Sequence, residues 1–314
     1  MLKTDVLIIG GGPAGAACAL RLRQLSIQFV VLDKAAFPRQ KPCAGWITPE
    51  IFDLLDRKPG DYPGYLTKFY SFNISFRGLK FTLPTHQYAI RRMEFDAWLL
   101  SLAEVTPIQH TVQKIETVDG GYQIDDCYQA NYLVGAGGTH CPVRRALFPH
   151  DQASKNQRLI ITKEEEFPYD IADYRCHLWF FEDGLPGYSW YFPKAGGYLN
   201  VGIGASASGL RNKGSTLNEF WHRHLEKLED LKLVQGHKFK PIGYSYYLRS
   251  KSPQIRKGNA FLVGDALGLA TCDMGEGIRP AIQSGIMAAE MINSGLDEKI
   301  KNIPRFSFPS LIKI

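Results

Sequence analysis

Apolar and polar positions change their period several times along the chain, and each change predicts a different element. Val6-Leu7-Ile8-Ile9 is a short, continuous apolar run, the pattern of a strand buried on both faces. Beyond the turn Gly10-Gly11-Gly12-Pro13-Ala14-Gly15, the residues Ala14, Cys18, Leu22 and Leu25 recur at helical spacing. Phe29-Val30-Val31-Leu32 then reads as a second strand, ending on Asp33. The stretch from Phe37 to Trp46 has two prolines and a glycine and no period, which predicts a long ordered loop of the functional kind. A short helix is expected from Pro49 to about Leu55. From Phe69 to Ile90 the alternation drops to two, predicting antiparallel strands. Helical spacing returns at Phe95, Leu99 and Leu102, and the apolar strand Tyr132-Leu133-Val134 runs into Gly135-Ala136-Gly137-Gly138.

Between Arg158 and Tyr247 the pattern is strongly that of strands, broken by one helix near Leu217–Leu228. Ala260-Phe261-Leu262-Val263 is again a buried strand, ending on Gly264-Asp265. Gly275-Glu276-Gly277 opens a helix with the face Ile278, Ile282, Ile286 and Ala289, for which Gly295 is a C-terminal cap. The whole is an α/β chain.

Composition adds exclusions. The 314 residues suffice for one large or two medium domains, and 45% hydrophobic with 22% charged residues is ordinary for a globular protein. The net charge of +6 is modest and its basic residues are dispersed, which argues against a nucleic-acid surface. Cysteines 18, 43, 127, 141, 176 and 272 have no metal-ligand spacing, so no metal is expected and an intracellular, cytoplasmic chain is the simplest reading. The N-terminal apolar run lacks a cleavage pattern, and no stretch reaches the roughly 18 apolar residues of a spanning helix.

The order strand, glycine turn, helix, strand, acid is that of a dinucleotide-binding unit. Gly10 permits the tight turn, Gly12 lets the backbone approach a pyrophosphate, and Gly15 lets helix and strand pack closely. Pro13 and Ala14 open the helix, whose free N–H groups favour phosphate. Asp33 is placed to accept from ribose hydroxyls and would repel a 2′-phosphate, so FAD or NAD fits and NADP does not. Gly264-Asp265 and the Gly275–Ile278 helix start repeat the device. Two such ends in one chain point to FAD, whose adenosine and flavin ends are far apart. The expected fold is a Rossmann-like FAD-binding domain (residues 1–68, 91–157 and 251–314) with a mainly antiparallel β-sheet substrate domain (69–90 and 158–250).

Several motifs resemble those of the FAD-dependent geranylgeranyl reductases, within the wider flavoprotein hydroxylase-like folds. They are GGGPAG at 10–15, KPCAGWI at 41–47, RMEFD at 92–96, YSWYFPKAGGYLNVGIG at 188–204 and VGDALGLATCDMGEGI at 263–278. The resemblance implies that Arg92 lies near the pyrophosphate or flavin and that Asp265 holds the ribityl chain. It places the Gly275, Gly277 and Ile278 backbone against the flavin and Cys43, Ala44 and Gly45 beside it. Lys34, Val112 and Gly264 complete the implied cofactor contacts. Tyr188, Trp190 and Phe192, on one face of a strand by alternation, are the candidate substrate contacts. The wider class usually has GADG where this chain has Gly135-Ala136-Gly137-Gly138, with Gly137 in place of the acid. The sequence stops soon after the helix at 278–293, which leads us to expect a smaller or more open lipid pocket.

The implied reaction is hydride transfer to an isoprenoid or other apolar C=C bond. Cys43 is the candidate catalytic residue, either donating a proton or gating the cavity. No second GxGxxG is present, so NAD(P)H or a reduced electron-transfer protein would dock transiently as donor. A flavin-dependent monooxygenase or halogenase and a non-catalytic flavoprotein are the alternatives. The basic and apolar tail 299–314 admits peripheral membrane contact, with packing along the FAD-binding domain the preferred reading.

Overall fold

The computed structural model describes residues 1–149, 158–251, 253–297 and 300–312. In chain order the first strands are β1 (Leu2–Ile9), β2 (Phe29–Asp33), β3 (Trp46–Ile47), β4 (Thr67–Phe76), β5 (Leu79–Ala89) and β6 (Ile108–Gln109). They are followed by β7 (Ile115–Val118), β8 (Gly121–Ile124), β9 (Tyr128–Gly135), β10 (Leu159–Pro168) and β11 (Cys176–Phe180). The last are β12 (Gly187–Lys194), β13 (Tyr198–Ser206), β14 (Ile242–Tyr247), β15 (Arg256–Lys257) and β16 (Ala260–Leu262). The helices are α1 (Pro13–Gln24), α2 (Glu50–Leu54), α3 (Arg92–Leu102), α4 (Pro142–Leu147), α5 (Ala207–Lys213), α6 (Leu217–Asp230), α7 (Ile278–Ser294) and α8 (Phe308–Leu311).

The first sheet runs β15-β16-β9-β1-β2-β6, and it is parallel from β16 to β6. β1 lies between β2 and β9 and is fully buried from Val6 to Leu7 and Ile8, as its continuous apolar run requires. The second sheet runs β14-β10-β13-β12-β11-β4-β5-β3 and is antiparallel except between β11 and β4. The chain is thus the mixed α/β fold that its periodicity predicts. The second sheet takes more from the early chain than expected: β4 starts at Thr67, and β3 pairs with β5 through Trp46 and Ile47. Both side chains are buried, Trp46 among the apolar residues of the second sheet and Ile47 in the core of the first.

Helix α1 is held by contacts that exclude side chains. Gly10 has φ +115°, and a Cβ there would lie 2.4 Å from the Ala136 carbonyl oxygen. A Cβ at Gly15 would sit 1.8 Å from the Gly10 oxygen. On the far side α7 crosses α1 so closely that a Cβ on Gly285 would be 2.1 Å from the Ala14 oxygen. The strand-turn-helix order is therefore locked by backbone against backbone.

The described part of the tail packs on the body. The Leu311 carbonyl accepts from Thr85 Oγ1 at 2.5 Å and the Ser310 carbonyl from Gln87 Nε2 at 2.9 Å. Lys299, Lys313 and Ile314 of the tail lie outside the described residues.

Because relief would require a helix to move, Gly15→Ala and Gly285→Ala are each expected to lower the free energy of unfolding by at least about 2 kcal/mol. Denaturant titration of the two variants against the unchanged protein checks this; a loss of a few tenths of a kcal/mol would contradict it.

Candidate active site

A cavity of about 720 Å³ opens between the two sheets, with Gly10, Gly12 and Asp33 at one end and Tyr188 and Trp190 in its far wall. It is lined by the expected residues Pro13, Ala14, Lys34, Cys43, Ala44, Arg92, Val112, Asp265, Gly275, Gly277 and Ile278 as well. Four expected residues do not line it. Gly15 lies beneath the turn, as above. Gly45 has φ +74° and faces the Ile90 carbonyl, and Gly264 donates its N–H to Ser284 Oγ at 2.9 Å. Phe192 shares its strand face with Tyr188 and Trp190, yet it packs edge-to-face against Phe69 and Phe72 in the core of the second sheet.

At the first end, the Asp33 carboxylate accepts from the N–H groups of Gly11 at 2.8 Å and Ala35 at 2.9 Å. It is thereby oriented at the strand end with lone pairs left for ligand hydroxyls. Gly12 caps α1 without any side-chain hydrogen bond, and Pro13 supplies the first helical residue. Gly12 differs from its neighbours in the turn: a Cβ there would meet nothing closer than Arg39 Nη2 at 3.4 Å. The fold itself has room for a side chain, and without one the backbone lies open to the cavity. Arg39 lies over the Phe37 ring at 4.7 Å and 3.6 Å from Asp96. Arg92 is clamped to the same fully buried Asp96 by two bonds of 2.8 Å. Burial alone would lower the Arg92 pKa, but the Asp96 carboxylate more than offsets it and holds the guanidinium charged.

At the other end α7 starts behind Gly277, again with no side-chain cap on that residue. Tyr244 donates its hydroxyl to Asp265 Oδ2 at 3.2 Å, and the Lys41 ammonium lies 2.9 Å from the centroid of the Tyr244 ring. Burial, helped by Arg92, lowers the Lys41 pKa to about 8. The uncapped start of α1, the start of α7 with the Glu276 carboxyl on its first turn, and the carboxylates of Asp33 and Asp265 thus face one continuous cavity. A long molecule with anionic phosphates between hydroxyl-bearing ends fits that cradle.

The sequence reading missed two buried carboxyls in the lining. Glu276 receives the Arg279 N–H at 2.8 Å, and Glu164 on β10 receives Asn200 Nδ2 at 3.2 Å. Burial raises both to about 7. The signal for Glu164 was present in the alternation of β10: Ile161 packs toward the core over the other face, so Thr162 and Glu164 point to the cavity. Asp96 stood in the RMEFD motif without a role.

The fold and cradle define a dinucleotide-binding flavoprotein. Residues 3–58 match the FAD binding domain family and residues 151–245 the geranylgeranyl reductase catalytic domain. Over 316 residues the chain is 30% identical to an uncharacterised protein of Methanosarcina barkeri, covering 96% of this chain and 77% of that one. A menaquinone reductase of Mycobacterium tuberculosis is 26% identical, with 93% and 77% covered. The chloroplastic geranylgeranyl diphosphate reductase of Arabidopsis thaliana is 28% identical, with 93% and 66% covered. A geranylgeranyl bacteriochlorophyll reductase-like protein of Thermoplasma acidophilum has the same fold, with a TM-score of 0.81 at 22% identity over 94% of this chain and 79% of that one. A flavin-dependent brominase shares the fold too, at 0.71 and 17%, over 94% and 80%. The chain belongs to the geranylgeranyl reductase family of FAD-dependent oxidoreductases.

Two outcomes follow from this geometry. Gly12→Ala and Asp265→Ala are expected to give folded protein that binds FAD at least about tenfold more weakly, read from the flavin absorbance per chain after dialysis. Full yellow stoichiometry in both would overturn the two-ended cradle. Glu164 has an unfolded value near 4.5 and a folded value near 7, so its favourable contribution is complete below about 4.5 and is lost as pH rises through about 7. Glu164→Gln removes that loss and should gain about 1.4 kcal/mol per pH unit over the unchanged protein across this window. Denaturation at stepped pH measures the difference; a pH-independent difference would be the contrary result.

Proposed function

We propose that this protein reduces C=C bonds in an isoprenoid or similarly apolar substrate. The observation that carries the reading is the junction of two unlike regions in one cavity. The cradle between α1 and α7 continues into a wall of Ala44, Trp46, Tyr188, Trp190 and Met274. Such a wall excludes water and holds a chain that has no polar handle. FAD, held by Gly12, Asp33, Arg92, Asp265 and the start of α7, supplies two-electron hydride chemistry when bound and reduced. The electrons come from NAD(P)H or a reduced electron-transfer protein docking transiently.

The protein's own groups do the rest. Trp190 is fixed in the wall by its Nε1–H bond of 2.7 Å to Asn200 Oδ1, and Tyr188 by donation to the Met274 carbonyl at 2.6 Å. Tyr188 is also stacked on Phe180 and the Trp190 indole lies against Gly202, so both rings are rigid parts of an apolar wall whose cavity side is offered to the substrate. Cys43 lies in the same wall; its sulfur accepts from the Gly45 N–H at 3.4 Å, and its carbonyl accepts from Asn200 Nδ2 at 3.4 Å. The loop is thus tied to the second sheet, and the thiol forms the step between cradle and apolar chamber. We assign Cys43 a gating role there. A monooxygenase or halogenase shares this fold, but the match of residues 151–245 to a reductase catalytic domain favours reduction.

Peripheral membrane contact would suit such a substrate. Phe306, Phe308 and Ile312 are each about half exposed beside Arg305, on a tail segment otherwise anchored to the body. Among the described residues no helix is long and apolar enough to cross a membrane.

For the reaction, Cys43→Ala is expected to leave reduction of the bound flavin intact and to slow reduction of the alkene about tenfold, with Cys43→Ser less affected. Anaerobic stopped flow separates the two steps, and product mass reports two added hydrogens per bond. Wild-type alkene reduction in both variants would remove Cys43 from the account; hydroxylated or halogenated product would replace the reductase reading.

A further inference from the structure

Two glutamates on the same face of β10 have opposite surroundings. Glu166 is ion-paired, with Arg91 Nε at 2.9 Å and Lys194 Nζ at 2.5 Å, and these partners hold its pKa below the usual value despite burial. Glu164, one pleat earlier and 4% exposed, makes no ion pair among the described residues. Its one hydrogen bond there comes from Asn200. The direction of that amide is forced. The Trp190 indole can only donate and it occupies Asn200 Oδ1, so Asn200 presents its NH₂ to Glu164 and to the Cys43 carbonyl. The second carboxyl oxygen of Glu164 has no hydrogen-bond partner among the described residues, and the side chain lines the cavity beside Trp190 and Tyr188.

The charged and titratable groups facing Glu164 are Lys194 and Glu166 behind it, Lys41 from the loop, and Tyr188 and Tyr246 across the chamber. Lys194 is engaged by Glu166, and Lys41 lies against Tyr244. A carboxyl that is buried, unpaired and bordered by aromatic rings is stable as the neutral acid. Two like groups with diverging environments mark an acid and a structural anion.

We propose that Glu164 is the catalytic acid that delivers a proton to the substrate carbon opposite the one that receives hydride. The inference rests on the C=C reduction proposed above. In that reaction reduced FAD in the cradle would be the two-electron reductant, so that one C–H bond forms with its hydride. The π pair breaks toward the other carbon and takes the proton of Glu164, so that an O–H bond breaks and a second C–H bond forms. The alkene gains two electrons and the flavin loses two. The carboxylate left behind accepts from Asn200 and faces the positive charges of Lys41 and Lys194 until water returns the proton.

The test uses flavin-loaded Glu164→Gln, with Cys43→Ala for comparison, and geranylgeranyl diphosphate and a long-chain menaquinone as probes. Glu164→Gln should bind FAD and be reduced by dithionite as the unchanged protein is. Reoxidation of its flavin by a probe the unchanged protein reduces should be slower by about 100-fold or more. With the unchanged protein, and with Cys43→Ala, reoxidation should slow as pH rises through about 7; with Glu164→Gln that break should be gone. Infrared difference spectra without substrate should show a protonated carboxyl that titrates near neutral pH and is absent from Glu164→Gln. Reoxidation of Glu164→Gln within twofold of wild type, persistence of the pH break, or no such carboxyl band would each overturn the assignment while leaving C=C reduction standing. If the unchanged protein reduces neither probe, the proposed reaction falls and the acid role falls with it.

Discussion

The approach of Gly15 to the carbonyl oxygen of Gly10 is the constraint on which the rest of the structure depends. With less than the width of a methyl group between them, α1 has one position relative to the end of β1. That position presents the start of the helix to the cavity and leaves its flank open for α7, whose Gly285 approaches Ala14 just as closely. Once α7 is fixed, so are Gly277 at its start and the Glu276 carboxyl beside it. The two ends of the cradle are therefore set by a single stack of backbone contacts, and neither can shift without the other.

Electrostatics within the cavity follow from which charges find partners. Asp96 draws Arg92 and Arg39 together and keeps positive charge beside the first helix start. Glu166 draws Arg91 and Lys194 to the back of the second sheet. Glu164 and Glu276 are left with mainly neutral donors, and burial then decides their protonation. The result is a chamber with fixed positive charge at one end and neutral, exchangeable protons toward the other.

Local pattern made much of this legible in the sequence. The continuous run at 6–9, the glycine turn and the helical spacing behind it depend only on near neighbours, so β1, α1, β2 and α7 were all readable. The alternation at 188–192 correctly put Tyr188, Trp190 and Phe192 on one face. It could not show where the cavity stops, because Phe69 and Phe72, which cover Phe192, come from more than 100 residues earlier in the chain. For Glu164, alternation along β10 gave the face, but its neighbours were out of reach for the same reason. A run of three glutamates reads as a solvated strand until Asn200 and Trp190, on β13 and β12, are brought against the first of them. Trp46 and Ile47, read as loop and helix approach, became an edge strand of the second sheet only through pairing with Tyr88 and Ala89.

The three bonds of the Asn200 amide have a consequence for how such a site can diverge among relatives. Trp190, Glu164 and the Cys43 loop come from three separate parts of the chain, yet each is oriented through this one side chain. Exchange of a single segment between two family members would deliver one of the three without its matched partners. New substrate preferences would then arise by coordinated replacement around position 200, or by changes in the apolar wall that leave this junction untouched. The amide acts as a brake on piecemeal inheritance.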